Sequence, residues 1–305
     1  MKNSHLMVEN EEENLKKVYK PHGFVIRRYV VSMVVKIVVT GRGGSGKSTF
    51  TALTTRCLGE MGYGHLLVVD VDPDGSLADM LGVDLEAEGK RTISEILYDV
   101  LEKRLFTKMV GATASEKLEP LLFEDALYEG DSYFDFVSIG VKWSEGCYCV
   151  PDRALSEVME RWAENYDIVI IDSPAGVEHL NRRITKNVDD VFNILDPSKK
   201  SFDNALRSYR LMRELNIEFK NYYLVGGYRF PAELEAMAEG QPFPYLGRVE
   251  YDDLVYQYNL EGLSLLKLPE DSPAYASVRD ILRRAGYGPR PPPLSELLGV
   301  DGDEG

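Results

Sequence analysis

Short apolar runs rich in Val and Ile recur along this chain, and stretches with helical spacing of their apolar residues lie between them. The runs Val34–Val39, Leu66–Asp70, Phe134–Ile139, Ile168–Asp172, Asp190–Ile194, Tyr222–Val225 and Tyr245–Val249 predict strands. The clearest of them are apolar throughout instead of alternating with polar residues, as strands covered on both faces should be. The intervening stretches predict helices over Lys47–Met61, Ser94–Lys103, Asp152–Glu164, Phe202–Leu215, Ala232–Glu239 and Ala274–Arg284. Strand and helix alternate, which implies an α/β fold with a doubly wound, mostly parallel sheet flanked by helices on both faces. Ligands of such sheets sit beyond the carboxyl ends of the strands, so the residues just after each run are where chemistry is expected.

Both ends depart from this pattern. Residues 1–32 are largely polar, with Glu11 to Glu13 in series, and Met33 stands directly before the first strand. They predict an N-terminal extension, partly helical around Glu9 to Val18, that is dispensable for chemistry. Residues 33–288 form the main domain, and 289–305 a proline-rich acidic tail carrying Pro289, Pro291, Pro292 and Pro293.

The turn after the first strand carries the most specific chemistry. Gly41 to Thr49 reads GRGGSGKST and leads into a helix. A β-branched strand, a glycine-rich turn and Lys-Ser at a helix start form the phosphate-cradling loop of a P-loop NTPase. Gly41, Gly43, Gly44 and Gly46 let the backbone bend and present N–H groups inward, and Ser45 and Thr49 complete the loop. The helix contributes its positive dipole end. Lys47 is expected on the β/γ-phosphates, and Ser48 on Mg²⁺.

Three further strand ends fit a triphosphate. LLVVDVDP places Asp70 and Asp72 two residues apart, facing one way in an extended segment: one to hold Mg²⁺ through water, the other to orient an attacking water. IVIIDSPAG ends in Asp172, a second Mg²⁺ ligand through water, and its Gly176 N–H could meet the γ-phosphate. Asp196-Pro197-Ser198 ends the next strand, where an adenine or ribose contact is expected; a plain turn accounts for these three residues nearly as well.

A different chemistry appears at Gly146-Cys147-Tyr148-Cys149-Val150-Pro151. In an extended segment i and i+2 face one side, so both sulfurs could meet one metal. Pro151 suits a first helical position, which would set the thiols at a helix N-terminus and favour thiolate. Zinc and other soft sites want four ligands and this pair supplies two, so a two-fold dimer giving Cys147 and Cys149 from each chain would complete an isologous site. A pair of core thiols is the alternative. Cys57 reads as a core residue, and His179 as an exposed helical polar residue.

Composition narrows the classes. The 305 residues carry 35 basic and 50 acidic side chains, a formal charge of −15, which disfavours binding to DNA or to anionic lipid. No run of 18 apolar residues exists to span a membrane. Three cysteines argue against a disulfide framework and for a reducing cytoplasm.

The order GRGGSGKST, VDVDP, CxC, IDSPAGVEHL and DPS resembles the CooC nickel-maturation ATPases of the deviant Walker A, MinD/ParA-like class. LPEDSPAY within Gly247 to Tyr275 resembles the family's closing segment, so the similarity runs across roughly Val34 to Tyr287. The resemblance implies a Mg²⁺-dependent ATPase (ATP to ADP and phosphate), a homodimer that binds Ni²⁺ or Zn²⁺ between protomers through the paired cysteines. Its implied client is carbon monoxide dehydrogenase or a related nickel enzyme, with neither nucleic acid nor membrane as partner. By position Lys47 would be the phosphate lysine, Asp72 the switch I aspartate that positions the attacking water, and Asp172 the switch II aspartate. The chain departs from the family at Arg42, at Gly226-Gly227, over Arg104 to Ser132 and in the N-terminal extension. Arg42 replaces the signature lysine that reaches the partner's phosphate, keeping the charge and adding a planar fork. Gly226-Gly227 replaces the asparagine often used for adenine. Three other readings compete: a MinD-like membrane organiser wants a basic amphipathic helix at its end, a ParA-like partitioner wants basic patches, and an iron–sulfur reductase of the class wants well-separated cysteines. A nucleotide-gated scaffold on the same fold stands beside them.

Overall fold

The computed structural model describes residues 34–72, 74–103, 112–130, 133–141, 149–174, 185 and 187–291. The expected extension at 1–32, the tail beyond residue 291, Cys147, Gly176 and His179 lie outside the described residues, as does the side chain of Cys149.

Eight strands form one sheet in the order β3-β4-β2-β5-β1-β6-β7-β8. They are β1 (Val35–Gly41), β2 (Leu66–Asp70), β3 (Tyr128–Glu129), β4 (Phe134–Ser138), β5 (Ile168–Asp172), β6 (Asn187–Leu195), β7 (Glu218–Gly226) and β8 (Tyr245–Arg248). Every neighbouring pair is parallel except β3 and β4. Both faces are covered, which explains why the central strands carry no alternation of apolar and polar residues. The faces differ residue by residue: Val38, Leu67, Val69, Val169 and Ile171 join one core, and Ile37, Val39, Leu66, Val68, Ile168 and Ile170 the other.

Helices α3 (Ile93–Glu102), α4 (Ala114–Asp125), α5 (Cys149–Ala163) and α6 (Lys199–Glu214) cover the first face with Ile96, Leu118, Val158 and Phe202. The second face receives α1 (Lys47–Glu60), α2 (Ser76–Leu81), α8 (Asp253–Glu261) and α9 (Pro273–Arg284) through Phe50, Leu77, Val255 and Tyr275. A short α7 (Glu235–Glu239) comes after a 3₁₀ turn at Ala232–Leu234, so the single helix expected over Ala232–Glu239 is split. Among the described residues no helix is long and apolar enough to cross a membrane.

Most differences from expectation have local causes. Strands β6 and β7 start earlier than their apolar runs, because polar residues occupy their amino ends. Asn221 there donates to Asp190 at 2.7 Å, and the Lys36 amide to Asp189 at 2.7 Å. Helix α5 starts at Cys149, two residues before the expected Pro151. Cys149 therefore lies in a first helical turn, where the sequence reading takes it as extended. At the far end Arg290 donates its amide to Met61 at 2.8 Å and lies over Tyr63 at 4.1 Å, so the chain is held to the domain as far as that residue.

Candidate functional site: the turn between β1 and α1

Helix α1 is buried almost all round, so the turn that feeds it is held firmly. Its N-cap is Gly46 at φ +94°, in the left-handed region where an L side chain is strained. A glycine cap brings no side-chain oxygen to the first-turn amides, which leaves them for an anion at the positive end of the helix. Behind the loop stands Gly227, where an added Cβ would lie 1.9 Å from the Ser45 carbonyl oxygen. Gly227→Ala should therefore force the loop outward, lowering stability by ~1–3 kcal/mol and weakening nucleotide binding. Thermal melts with and without nucleotide check both effects.

Strands β1, β5 and β2 lie side by side, so their carboxyl ends bring Lys47, Asp172 and Asp70 together. Asp70 and Asp172 are direct neighbours in the β2–β5 register, and both are fully buried. Asp72 lies just past β2, its amide donating to Asp70 Oδ1 at 3.0 Å and its Oδ2 lying 3.7 Å from the buried Lys47 Nζ. Ser48 accepts from Ser76 at 3.3 Å at the start of α2. The expected set of Lys47, Ser48, Asp70, Asp72 and Asp172 thus converges on one place.

The electrostatics there are unbalanced. Burial first, then the charge of Asp172, pushes the Asp70 carboxyl up to about 8. Burial likewise raises Asp172 to about 6, against the pull of the Ser48 hydroxyl and the Lys47 charge. Among the described residues, Asp70 Oδ2 and both oxygens of Asp172 lack a well-formed hydrogen bond. Buried carboxylates left this way are costly unless a cation joins them. Among the described residues no group of three or more His, Cys, Asp or Glu is arranged to hold a metal by itself. The residues fit a Mg²⁺ completed by phosphate oxygens, the Ser48 hydroxyl and water, since magnesium prefers few protein ligands.

One pairing lay beyond reach of the sequence. Arg42 Nη1 donates to Asp196 Oδ2 at 2.7 Å and to Ser198 Oγ at 2.9 Å, and Ser198 in turn donates to Asp196. Within one chain, then, the residue expected to reach a partner's phosphate is held by two residues expected near the base or ribose. Pro197, between them, is exposed. Cys57 is fully buried in α1 as expected, and burial pushes its thiol up to about 12, so it stays an inert core thiol. Sequence reasoning missed Tyr228, whose ring approaches Gly46 so closely that an added Cβ would lie 3.0 Å from Cδ1.

A family model described as an AAA domain matches residues 33–217. An uncharacterized ATP-binding protein of Methanocaldococcus jannaschii is 33% identical over 254 residues, covering 81% of this chain and 97% of that protein. The carbon monoxide dehydrogenase accessory protein CooC of Rhodospirillum rubrum is 26% identical over 266 residues, with 83% and 98% covered. Among solved structures the MinD cell division protein of Aquifex aeolicus matches with a TM-score of 0.59 at 20% identity, over 85% of this chain and 99% of that one. The septum site-determining protein MinD of Pyrococcus horikoshii, solved with Mg-ADP, matches with a TM-score of 0.57 at 19% identity, over 89% and 100%.

Proposed function

This chain belongs to the AAA-domain family, and from that premise we propose that it is a P-loop, Mg²⁺-dependent ATPase of MinD/ParA type. It works as a cytoplasmic homodimer that serves nickel insertion into carbon monoxide dehydrogenase or a related nickel enzyme. The observation that carries the ATPase reading is the meeting of Lys47, Asp70, Asp72 and Asp172 at the uncapped start of α1. The backbone N–H groups of Gly41 to Gly46 and of Lys47, Ser48 and Thr49 cradle the phosphates. Lys47 neutralises charge on the transferred group, and Asp72 orients the attacking water. Ser48 would hold Mg²⁺, with Asp172 and Asp70 as its carboxylate partners through water, and the bound metal would offset charge on the phosphates. From the sequence, Gly176 would meet the γ-phosphate, and Asp196, Pro197 and Ser198 would serve the nucleoside.

Arg42 acts across the dimer in this reading, contributing to a partner's phosphate once its bond to Asp196 opens. The nickel assignment rests on the likeness to CooC over 83% of this chain and 98% of that protein, together with Cys147 and Cys149 in the sequence. Each protomer gives two thiolates to a shared Ni²⁺ or Zn²⁺, and the dimer supplies four. Cys147→Ser combined with Cys149→Ser should remove about one metal ion per dimer, measured by elemental analysis with and without ATP. Unchanged metal content would dispose of the shared site.

A second reading, a MinD/ParA-like nucleotide-gated organiser or scaffold, is favoured by the fold match to MinD proteins. It predicts ATP-dependent dimers without bound metal. An iron–sulfur carrier of the same class would instead show cluster absorbance lost in the cysteine variant.

A further inference from the structure

We propose that the outer face of α8 is a docking surface for a cationic amphipathic helix of a partner protein. Four of the eight large apolar side chains exposed among the described residues fall within 251–263: Tyr251, Tyr256, Leu260 and Leu263, at 57%, 56%, 73% and 43%. Single apolar residues scattered over a surface need no explanation, but a cluster does. This one is a product of helical spacing. Val255 turns inward and is fully buried, with Leu254 and Tyr258 half-buried against the same core. Asp253, Tyr256, Gln257 and Leu260 then share the opposite side, at i, i+3, i+4 and i+7.

Both ends of the helix extend the apolar strip. At its start the Tyr251 hydroxyl donates to Asp253 at 2.9 Å. At its end Gly262 turns the chain at φ +66°, and the Leu263 amide donates to the Tyr258 carbonyl at 2.8 Å, which fixes Leu263 beside the last turn.

The rim is acidic. Asp253 and Glu261, both exposed, flank Tyr256 and Leu260 on the helix. Next to Leu263, Ser264 donates to the Met80 carbonyl at 3.3 Å, and a Cβ on Gly82 would lie 2.8 Å from the Ser264 Cβ. That contact brings α2 and the turn after it beside the strip, with Asp79, Asp84, Glu86 and Glu88 exposed. Residues 74–89 contain no lysine or arginine, and Lys267 is the one cation within 251–271. An apolar centre ringed by carboxylates fits leucine-like side chains flanked by lysine or arginine, as one side of an amphipathic helix presents them. A second copy of this chain fits less well, because a two-fold contact on α8 would set Asp253 and Glu261 against like charges. None of these residues belongs to the phosphate site, so docking here is separate from nucleotide chemistry.

Fluorescence anisotropy of the full chain with a synthetic probe tests this, the probe being a helix of about 18 residues with leucine on one side and lysine on the other. It should bind in the micromolar range. A scrambled peptide of the same composition, equal in charge but without an apolar side, should bind at least about tenfold more weakly, as should a leucine–glutamate helix. Leu260→Asp and Tyr256→Ala should each weaken the leucine–lysine probe by about tenfold or more, with circular dichroism unchanged because both positions are exposed. Leu260→Asp is the sharper variant, since its added negative charge would strengthen a contact made by charge alone. Equal binding of the scrambled peptide, or undiminished binding by Leu260→Asp, would reduce the attraction to net charge and overturn the proposal. No binding of the leucine–lysine helix would overturn it too. So would self-association in sedimentation that Leu260→Asp abolishes, because the face would then join copies of this chain.

Discussion

Replacing Lys47 by alanine should lower ATP turnover by at least about 10²–10³-fold while leaving the fold intact. The lysine stands at the first position of α1, 6% exposed, with Asp72 at 3.7 Å as its ion-pair partner. Three carboxylates share this corner with it: Asp70, Asp72 and Asp172. A triphosphate entering there adds further negative charge, and phosphoryl transfer is accelerated chiefly by placing positive charge where charge develops. Without the ammonium, Mg²⁺ alone would face the phosphates. The loss should reach binding as well as turnover, because the lysine meets the ground state too. Its removal also takes away a charge that holds the Asp172 carboxyl down, so that group should protonate more readily. Steady-state phosphate release at saturating Mg²⁺, beside circular dichroism to verify folding, makes the measurement. Turnover within about tenfold of the unaltered chain would remove Lys47 from the chemistry.

Parts of this corner were legible in the sequence because short-range rules govern them. Strands β1, β2 and β5 are buried on both faces, so their residues are apolar without alternation, and the aspartate ending β2 and β5 stands out as a candidate site residue. Helix α8 was not legible. Its Tyr256 and Leu260 are exposed at 56% and 73%, so its apolar residues do not mark a buried stripe. Helix α4 holds Pro120 in its interior, which argues against a helix in any local reading, yet Leu118 and Leu122 are fully buried and keep it packed. The grip of Asp196 on Arg42 joins residues 154 apart in sequence. No spacing rule reaches that far; it arises because β1 and β6 are neighbours in the sheet. The approach of Tyr228 to Gly46 has the same origin, since the sheet order carries the end of β7 back to the phosphate loop.

Asp70→Asn should make the nucleotide-free protein more stable at pH 8 and remove most of its loss of stability with rising pH. In the folded chain the Asp70 carboxyl titrates at about 8, raised by burial and then by Asp172. In the unfolded chain it titrates near the ordinary value of about 3.9. Between these values the folded state keeps a proton that the unfolded state has released. The folded state therefore binds more protons, and stability must fall as pH rises through the window from about 4 to about 8. Asp172, raised to about 6, adds to the fall in the lower part of that window. Asparagine keeps the shape and carries no charge, so the slope due to Asp70 disappears. The gain at pH 8 should be on the order of a few kcal/mol, or roughly 5–10 °C in melting temperature for a domain of this size. Mg²⁺ with nucleotide should work in the opposite sense. It stabilises the unaltered chain most at high pH, where the carboxylates are ionised, and stabilises the variant less because one charge toward the cation is missing. Melting curves from pH 5 to 8, with and without Mg²⁺ and nucleotide, separate these effects. An unchanged pH slope in Asp70→Asn would show that this carboxylate does not carry the strain. The site would then owe its demand for a cation to Asp172, the fully buried neighbour with neither oxygen well bonded among the described residues.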